Sequence, residues 1–195
     1  MSERAQTVAG DMLGVAFAAA VLAFYLFVLG GMEQASGGTV QCKYRDGGAL
    51  PSKTCTPGAL NPDVTQATVA TTICKRGWAT SVRPPETVTE PQKFQSMRAY
   101  NIPTSKGFAG QYEYDHLVSL ELGGSPDDTL NLWPEIHTLL VGGAQEGSFV
   151  KDTLENQLNR DVCTGFLTLS QAQHAILSNW LTAYKRYVGA LPKAS

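Results

Sequence analysis

An uncharged apolar segment near the N terminus constrains this chain more than any other feature. Residues 12–32 contain no Asp, Glu, Lys or Arg, and about 20 consecutive apolar residues are enough for a helix to cross a bilayer. We therefore predict a transmembrane signal anchor at 12–32, preceded by an N-terminal tail at 1–11. A cleaved signal peptide is the alternative, although its apolar region is usually shorter, about 7 to 15 residues. In that case the protein would be secreted.

The four cysteines indicate on which side of the membrane the body of the protein lies. None of them stands in a close C-x-x-C pair of the kind that zinc sites use. Disulfides are therefore the favoured interpretation, and we prefer the pairs Cys42–Cys55 and Cys74–Cys163. Four buried thiols are the alternative. Because disulfides persist in oxidising compartments, the pairing predicts a C-terminal domain that is periplasmic or extracellular.

Composition and turn residues divide the rest of the chain in two. Residues 33–56 are rich in Gly and Ser and poor in large apolar residues, which predicts a linker with a disulfide loop. Residues 57–190 carry the apolar periodicity of a globular domain. The net charge of −2 gives no global attraction for nucleic acid, so phosphate binding would require a local basic patch or a bound metal.

Two amphipathic helices are predicted in the C-terminal part of this domain. A first helix ends near Gly165, and its apolar residues are spaced four apart: Val150, Leu154, Leu158 and Val162. A second helix has a candidate capping box in Thr168 and Gln171. Its apolar stripe runs to about residue 188 and comprises Ala172, Ile176, Trp180, Tyr184 and Val188. Upstream, the Arg-Pro-Pro sequence at 83–85 predicts an extended passage, and residues 91–100 predict a short helix.

The densest chemical signal lies between residues 111 and 135. The pattern of 111–122 predicts a strand, and Gly123-Gly124 breaks it with turn chemistry before Asn131-Leu132. Within this strand, Asp115 and His116 are neighbours. Hydrolysis of a phosphodiester needs an activated water and a positive charge near the phosphorus. A His beside an Asp can supply the base and a ligand for a divalent cation.

This stretch is similar to a known family. YEYDHLVSLELGG followed by NLWPE resembles the D-H, Gly-Gly, N-L pattern of HNH endonucleases of the ββα-metal, or His-Me finger, type. The match covers residues 112–135, and a looser likeness to small exported bacterial proteins with this domain extends over most of 57–188. The resemblance implies an α+β fold in which a ββα-metal finger is accompanied by additional helices.

The same resemblance implies a role for each motif residue. Asp115 would bind a metal, His116 would deprotonate water, and Asn131 would orient His116 or pin the loop. The implied cofactor is one divalent ion, Mg²⁺ in the first place, with Mn²⁺ or Zn²⁺ as alternatives. Glu113 precedes Asp115 by two residues and therefore points to the same strand face, which makes it a candidate second ligand.

The third motif position remains open, because a His or Asn on the helix after Asn131 has no clear counterpart. His137 and Asn156 are the candidate ligands, with Glu146 as a further alternative. Ser119 stands where the family commonly has a Pro, and the cysteine pairs that hold structural zinc in many relatives are absent. The candidate nucleic-acid contacts surround Trp78 and are Lys75, Arg76 and Arg83.

The predicted function is that of an exported or membrane-anchored, metal-dependent endonuclease. Its substrate would be DNA, with RNA as the alternative, and no obligate protein partner is indicated. One rival hypothesis is a catalytically inactive HNH-fold module that binds nucleic acid or another partner at the membrane. A second rival is a hydrolase of another phosphodiester, such as a lipid or teichoic acid.

Overall fold

The computed structural model describes residues 41–193 as one folded unit. This unit combines helices with two small antiparallel sheets, which confirms the predicted α+β class. The predicted tail at 1–11 and the predicted membrane helix at 12–32 lie outside the described residues. Within 41–193, no helix is both long and apolar enough to span a membrane.

Residues 41–193 contain five α-helices and four short strands that form two sheets. The helices are α1 (Trp78–Val82), α2 (Glu86–Ala99), α3 (Lys106–Ala109), α4 (Ser148–Cys163) and α5 (Leu169–Tyr187). The strands are β1 (Tyr112–His116), β2 (Leu132–Ile136), β3 (Leu139–Val141) and β4 (Ala144–Glu146). β1 pairs with β2, and β3 pairs with β4 in a separate hairpin. The end of β1 meets α4, where Lys151 Nζ donates to the His116 carbonyl oxygen at 2.9 Å.

β1 is shorter than the predicted strand, because the chain turns away after His116. A 3₁₀ turn follows at Leu120–Leu122, and Gly123 ends this turn with a φ of +76°. Gly124 lies so close to earlier backbone that a Cβ there would be 1.8 Å from the Val118 carbonyl oxygen. A left-handed backbone at one position and a close approach at the other thus both require glycine.

The two C-terminal helices are confirmed. The predicted apolar residues of α4 are all buried, and so are those of α5 as far as Tyr184. The capping box of α5 is present, with Thr168 Oγ1 accepting from the Gln171 N–H at 3.2 Å. Val188 lies beyond the helix and is 37% exposed, so the buried stripe ends one turn earlier than predicted. Packing of α4 against α5 forms the main hydrophobic core around Trp180.

α2 begins earlier than the short helix predicted at 91–100. Arg83 and Pro85 are extended, as predicted, and Pro85 precedes a helix that starts at Glu86. Pro91 therefore lies inside the helix, although a proline lacks the N–H that would bond to the residue four positions earlier. The helix tolerates this loss near its exposed start, and its later part is anchored by Met97, which is fully buried.

Both predicted disulfides are present, Cys42–Cys55 and Cys74–Cys163. The first one closes a loop that packs into the fold, since Ala49 and Leu50 are each 1% exposed and belong to the main core. Trp180 Nε1 also donates to the Ala49 carbonyl oxygen at 2.8 Å. The folded unit therefore starts upstream of the predicted domain boundary at residue 57. In the sequence, Ala49 and Leu50 stand alone between Gly and Pro residues. This segment therefore shows no apolar periodicity that would distinguish it from a linker.

Candidate active site

A polar cavity of about 270 Å³ lies at the end of β1. It brings together five of the residues that the sequence singled out, namely Arg83, Glu113, Asp115, His116 and Asn156. Neighbours on a regular strand point to opposite faces, but β1 ends at His116, and both members of the Asp-His pair therefore reach the same cavity. Three further acidic residues line it that the sequence interpretation did not select: Glu121, Asp152 and Glu155.

The His116 ring is held by the loop that follows β1. Its Nε2 lies 2.9 Å from the Pro126 carbonyl oxygen. Because a carbonyl can only accept a hydrogen bond, this contact assigns the ring proton to Nε2 and leaves the lone pair on Nδ1. Burial lowers the pKa of His116 below its usual value of 6.5. The imidazole is therefore neutral at physiological pH and able to accept a proton.

Asn131 lies beneath the same loop and is fully buried. Its Nδ2 donates to the carbonyl oxygens of Val118 and Ser125, and its Oδ1 accepts from the Val118 N–H, each at 3.0 Å. One side chain thus ties the beginning of the loop to the segment just before Pro126. Asn131 does not line the cavity. Its hydrogen bonds fit the predicted role of pinning the loop, and it can influence His116 only through the position of Pro126.

Asp115 is engaged by a lysine that the sequence interpretation missed. Lys151, on α4, is 0% exposed, and its Nζ donates to Asp115 Oδ2 at 2.5 Å. The same ammonium donates to Glu155 and lies 3.7 Å from Glu135 Oε2. A Lys–Glu pair four residues apart beside an apolar helix stripe was the available signal. Its partners on β1 and β2 are distant in sequence and gave no signal.

The charges of this buried cluster are set by Lys151. Burial is the largest single effect on Asp115 and acts to raise its pKa, but attraction by Lys151 and hydrogen bonding to Glu135 and Lys151 together hold that pKa below the usual value. Burial raises the pKa of Glu135 well above normal and that of Glu155 to about 8. The pKa of Lys151 is raised by its three carboxyl neighbours in spite of burial. The cluster is best described as a Lys151–Asp115 ion pair accompanied by two neutral acids at neutral pH.

The remaining carboxyl groups of the cavity repel one another. Burial raises the pKa of Glu113, Glu121 and Asp152, and a neighbouring carboxylate raises each of them further. Ser119 also lines the cavity, is buried, and has an Oγ without a hydrogen-bond partner within residues 41–193. Acidic groups with raised pKa values and an unpartnered hydroxyl are what a hard cation or a hydrogen-bonding substrate would satisfy.

The donor atoms of the cavity are carboxyl oxygens, an amide and an imidazole. No cluster of three or more His, Cys, Asp or Glu side chains in the described part of the chain is spaced to hold a metal ion. Mg²⁺ is usually held by one or two carboxylates and keeps several waters, and the acidic cavity fits that mode of binding.

Three groups of predicted residues lie outside this cavity. His137 lines an adjoining cavity, where its Nδ1 lies 3.1 Å from Ser148 Oγ and its ring stacks on Phe149 at 4.9 Å. The structure therefore does not bring His137 into the cavity of Asp115. Glu146, the further alternative, lies on β4 and does not line this cavity either. Lys75 and Arg76 line another adjoining cavity.

Comparison of this chain with family models, with characterised proteins and with solved structures finds no match. The functional argument therefore depends on the side chains of the cavity and on the motif they form.

Proposed function

We propose that this protein is a metal-dependent endonuclease that hydrolyses phosphodiester bonds of DNA, with RNA as the alternative substrate. The observation that carries the proposal is the fixed His116 ring. It donates from Nε2 to the Pro126 carbonyl oxygen, which leaves Nδ1 as a base beside an acidic cavity. Arg83 is the cation of that cavity which is available to a phosphate.

The chemistry follows from these groups. His116 Nδ1 takes a proton from a water molecule while the water oxygen forms a bond to phosphorus. The bond between phosphorus and the leaving oxygen breaks, and that oxygen takes up a proton from solvent. The guanidinium of Arg83 binds the non-bridging oxygens, whose charge increases in the transition state. A divalent cation, Mg²⁺ in the first place, held by Asp115 with Glu113 or Asn156, would supply positive charge for the phosphorane and the leaving oxygen.

The proposal includes a ββα-metal finger built from β1, β2 and α4. β1 and β2 pair antiparallel with His116 opposite Leu132, and Lys151 of α4 bonds to the end of β1. α4 also supplies Asp152 and Asn156 to the cavity. Among the candidates for the third motif residue, Asn156 lines the cavity, and Asp152 joins it as a candidate because it is acidic and lines the same cavity.

We further propose that the domain works outside the cytoplasm, at the membrane or secreted. The two disulfides support this location, since such bonds persist in oxidising compartments. Attachment through residues 12–32 stays a prediction from the sequence. The substrate would then be nucleic acid outside the cell or in the periplasm.

One observation favours the alternative of an inactive nucleic-acid-binding module. The Lys151 ammonium already satisfies Asp115 Oδ2, and it would repel a second cation bound to the same carboxylate. Calorimetric titration of the full chain with Mg²⁺, Mn²⁺ and Zn²⁺ separates the two functions. An endonuclease of the proposed kind binds Mg²⁺ or Mn²⁺ through Asp115, whereas the inactive module gives no metal-binding heat that Asp115→Asn removes.

The decisive test is the cleavage of supercoiled plasmid by the full chain in detergent micelles with Mg²⁺ or Mn²⁺. Loss of a general base usually costs 10²- to 10⁴-fold in rate, so His116→Ala should be slower by roughly that factor. The matched control is His174→Ala, because His174 is exposed on α5 and does not line the cavity. Equal cleavage by His116→Ala and the parent, with unchanged circular dichroism, would overturn the mechanism.

A further inference from the structure

A second cavity of about 550 Å³ adjoins the candidate active site and has a different charge. The two cavities share Ala79, Glu121 and Asn156 in their walls. Three cations line the second cavity, and we refer to them together as the basic arm: Lys75, Arg76 and Arg160. Glu121 is the acidic residue among its lining side chains, so this cavity has a net positive wall beside an acidic one.

The basic arm is assembled from two distant parts of the chain. The Cys74–Cys163 disulfide joins the segment of Lys75 and Arg76 to the end of α4, where Arg160 lies. Asn159 Nδ2 adds a second tie by donating to the carbonyl oxygens of Ile73 and Glu121 at 3.3 and 2.8 Å. The three cations are thus held together by the fold although 84 positions separate Arg76 from Arg160 (160 minus 76).

These cations are not consumed by internal ion pairs. All three are exposed, and the ion pairs found within 41–193 involve Lys151 and His137 instead. Arg160 donates to the neutral Gln157 side chain at 3.0 Å. The basic arm therefore presents its charge to an external anion, and phosphate groups are the common partners of such Arg and Lys side chains.

Trp78 lines the same cavity and supplies an aromatic surface. It is half-buried, in contrast to Trp133 and Trp180, which are both 0% exposed. Cations that follow a backbone, combined with an aromatic ring on which a base can stack, are the combination that binds single-stranded nucleic acid. The bases of a duplex are already stacked within the helix and offer no free face to such a ring.

We propose that the basic arm and Trp78 bind a single nucleic-acid strand on one side of the bond that is cut. The arm contacts up to three phosphates, Trp78 stacks on one base, and the next phosphate lies in the acidic cavity beside His116. The position of the cut rests on the proposed function, whereas binding by the arm is measured independently of cleavage. Single strands, or unpaired segments of a duplex, are the substrate class that this geometry selects.

The binding test uses the full chain in detergent micelles with EDTA, which prevents metal-dependent cleavage. Fluorescence anisotropy measures the affinity for a labelled single strand of about 12 nucleotides, within the usual site sizes of roughly 4 to 16. We expect Lys75→Ala, Arg76→Ala and Arg160→Ala together to weaken binding at least ~10-fold and to reduce the salt dependence by about two log units per log unit of salt. A duplex of the same sequence should bind more weakly to the parent.

The matched control is the triple replacement of Lys43, Lys53 and Arg98 by Ala. These cations are also exposed but line neither of the two cavities. The control should bind like the parent. Unchanged affinity and salt dependence in the basic-arm variant, or an equal loss in the control, would overturn the proposal.

Tryptophan fluorescence tests the stacking separately. Because Trp133 and Trp180 are fully buried, quenching by a bound strand should come from Trp78. Trp78→Phe keeps a ring, and it should retain affinity while losing the quenching. Trp78→Ala should lose about 5- to 150-fold in affinity, as expected for one stacked base. Quenching that persists in Trp78→Phe, or equal quenching by dextran sulfate, which has no bases, would contradict stacking on Trp78.

Hydrolysis of bis(p-nitrophenyl) phosphate separates failure of this proposal from failure of the proposed function. This small diester has no strand to bind, so the basic-arm variant should hydrolyse it like the parent, and His116→Ala should not. If the parent binds strands through the basic arm but hydrolyses neither substrate, the proposed nuclease function is wrong. If the parent cleaves strands and the basic-arm variant binds and cleaves them equally well, the proposed strand binding by the basic arm is wrong.

Discussion

Two groups of carboxyl side chains at the end of β1 differ in their burial and in their source of positive charge. The lysine cluster, which consists of Asp115, Glu135 and Glu155 around Lys151, is buried and contains its own cation. The cavity rim, which consists of Glu113, Glu121 and Asp152, is more open. Burial raises the pKa of each rim residue, and the charge of Asp152 raises that of Glu113 and Glu121 further. The internal ammonium fixes the geometry of the first group, whereas the second group is available to a cation from solution.

The largest effect on stability is expected when the internal cation of the lysine cluster is removed. Lys151→Met leaves Asp115 in a buried site without its partner, and breaking a buried pair in this way costs about 3 to 5 kcal/mol. Urea unfolding should show a loss of this size in the free energy of unfolding. Lys185→Met, at an exposed position on α5, should change it by less than about 0.5 kcal/mol. A loss below about 1 kcal/mol for Lys151→Met would show that the cluster does not depend on its ammonium.

The second largest effect concerns the loop that holds His116. Asn131→Ala removes three hydrogen bonds from a fully buried position, which should destabilise the fold by about 2 to 4 kcal/mol. Because the loop carries the Pro126 carbonyl, the rate of plasmid cleavage should fall as well. The control is Gln95→Ala on the exposed side of α2. A variant that loses stability but keeps the parent rate would show that the loop does not position His116.

The third prediction concerns how the stability of the fold depends on pH through Glu155 of the lysine cluster. Burial raises the pKa of Glu155 from 4.5 to about 8, so the folded state holds a proton that the unfolded state releases above pH 4.5. The contribution of Glu155 to stability is therefore fully present below pH 4.5 and is lost as the pH rises towards about 8, by at most ~1.4 kcal/mol per pH unit. Glu155→Gln should flatten this decline in thermal unfolding measured between pH 5 and 9. An unchanged slope would place the titrating proton elsewhere.

The smallest effect is expected at the cavity rim. Asp152→Asn removes a like charge from an exposed site, so the free energy of unfolding at neutral pH should rise by no more than about 0.5 kcal/mol. Its effect should be found in calorimetry with Mg²⁺, where the affinity should fall. Asp161→Asn is the control, because Asp161 lies on α4 without lining the cavity. Weaker Mg²⁺ binding in the control and not in Asp152→Asn would contradict the assignment of the rim.

Much of the scaffold could be predicted from local patterns. The four-residue spacing of apolar side chains and the Thr168 capping box gave α4 and α5, because both signals come from residues within two helical turns. The even cysteine count and the absence of metal-type spacing predicted disulfides, and the preferred pairing among the three possible ones is the pairing observed. Five of the cavity residues were also named. Asp115, His116 and Asn156 came from the family resemblance, Glu113 from its place on the same strand face as Asp115, and Arg83 from its charge near Trp78.

The remainder depended on contacts between distant segments. Lys151 has a local signal only in Glu155, four positions later, and its role comes from contacts with β1 residues 35 and 36 positions away. His137 was a candidate by residue type, but its ring stacks on Phe149 in another cavity. Arg160 joins Lys75 and Arg76 only because a disulfide closes that distance. Residue type supplied the candidates, whereas tertiary packing decided which of them share a cavity.

The Cys74–Cys163 bond also closes a covalent ring that contains the proposed site. Every residue of the proposed site and of the basic arm lies between these two cysteines, from Lys75 to Arg160. A crosslink that spans this many residues restricts the unfolded chain and typically contributes roughly 4 kcal/mol in the loop-entropy description. A single proteolytic cut within the ring releases no fragment, and a cut on either side leaves the ring whole. Such a topology would protect the domain from proteases at the extracytoplasmic location proposed above.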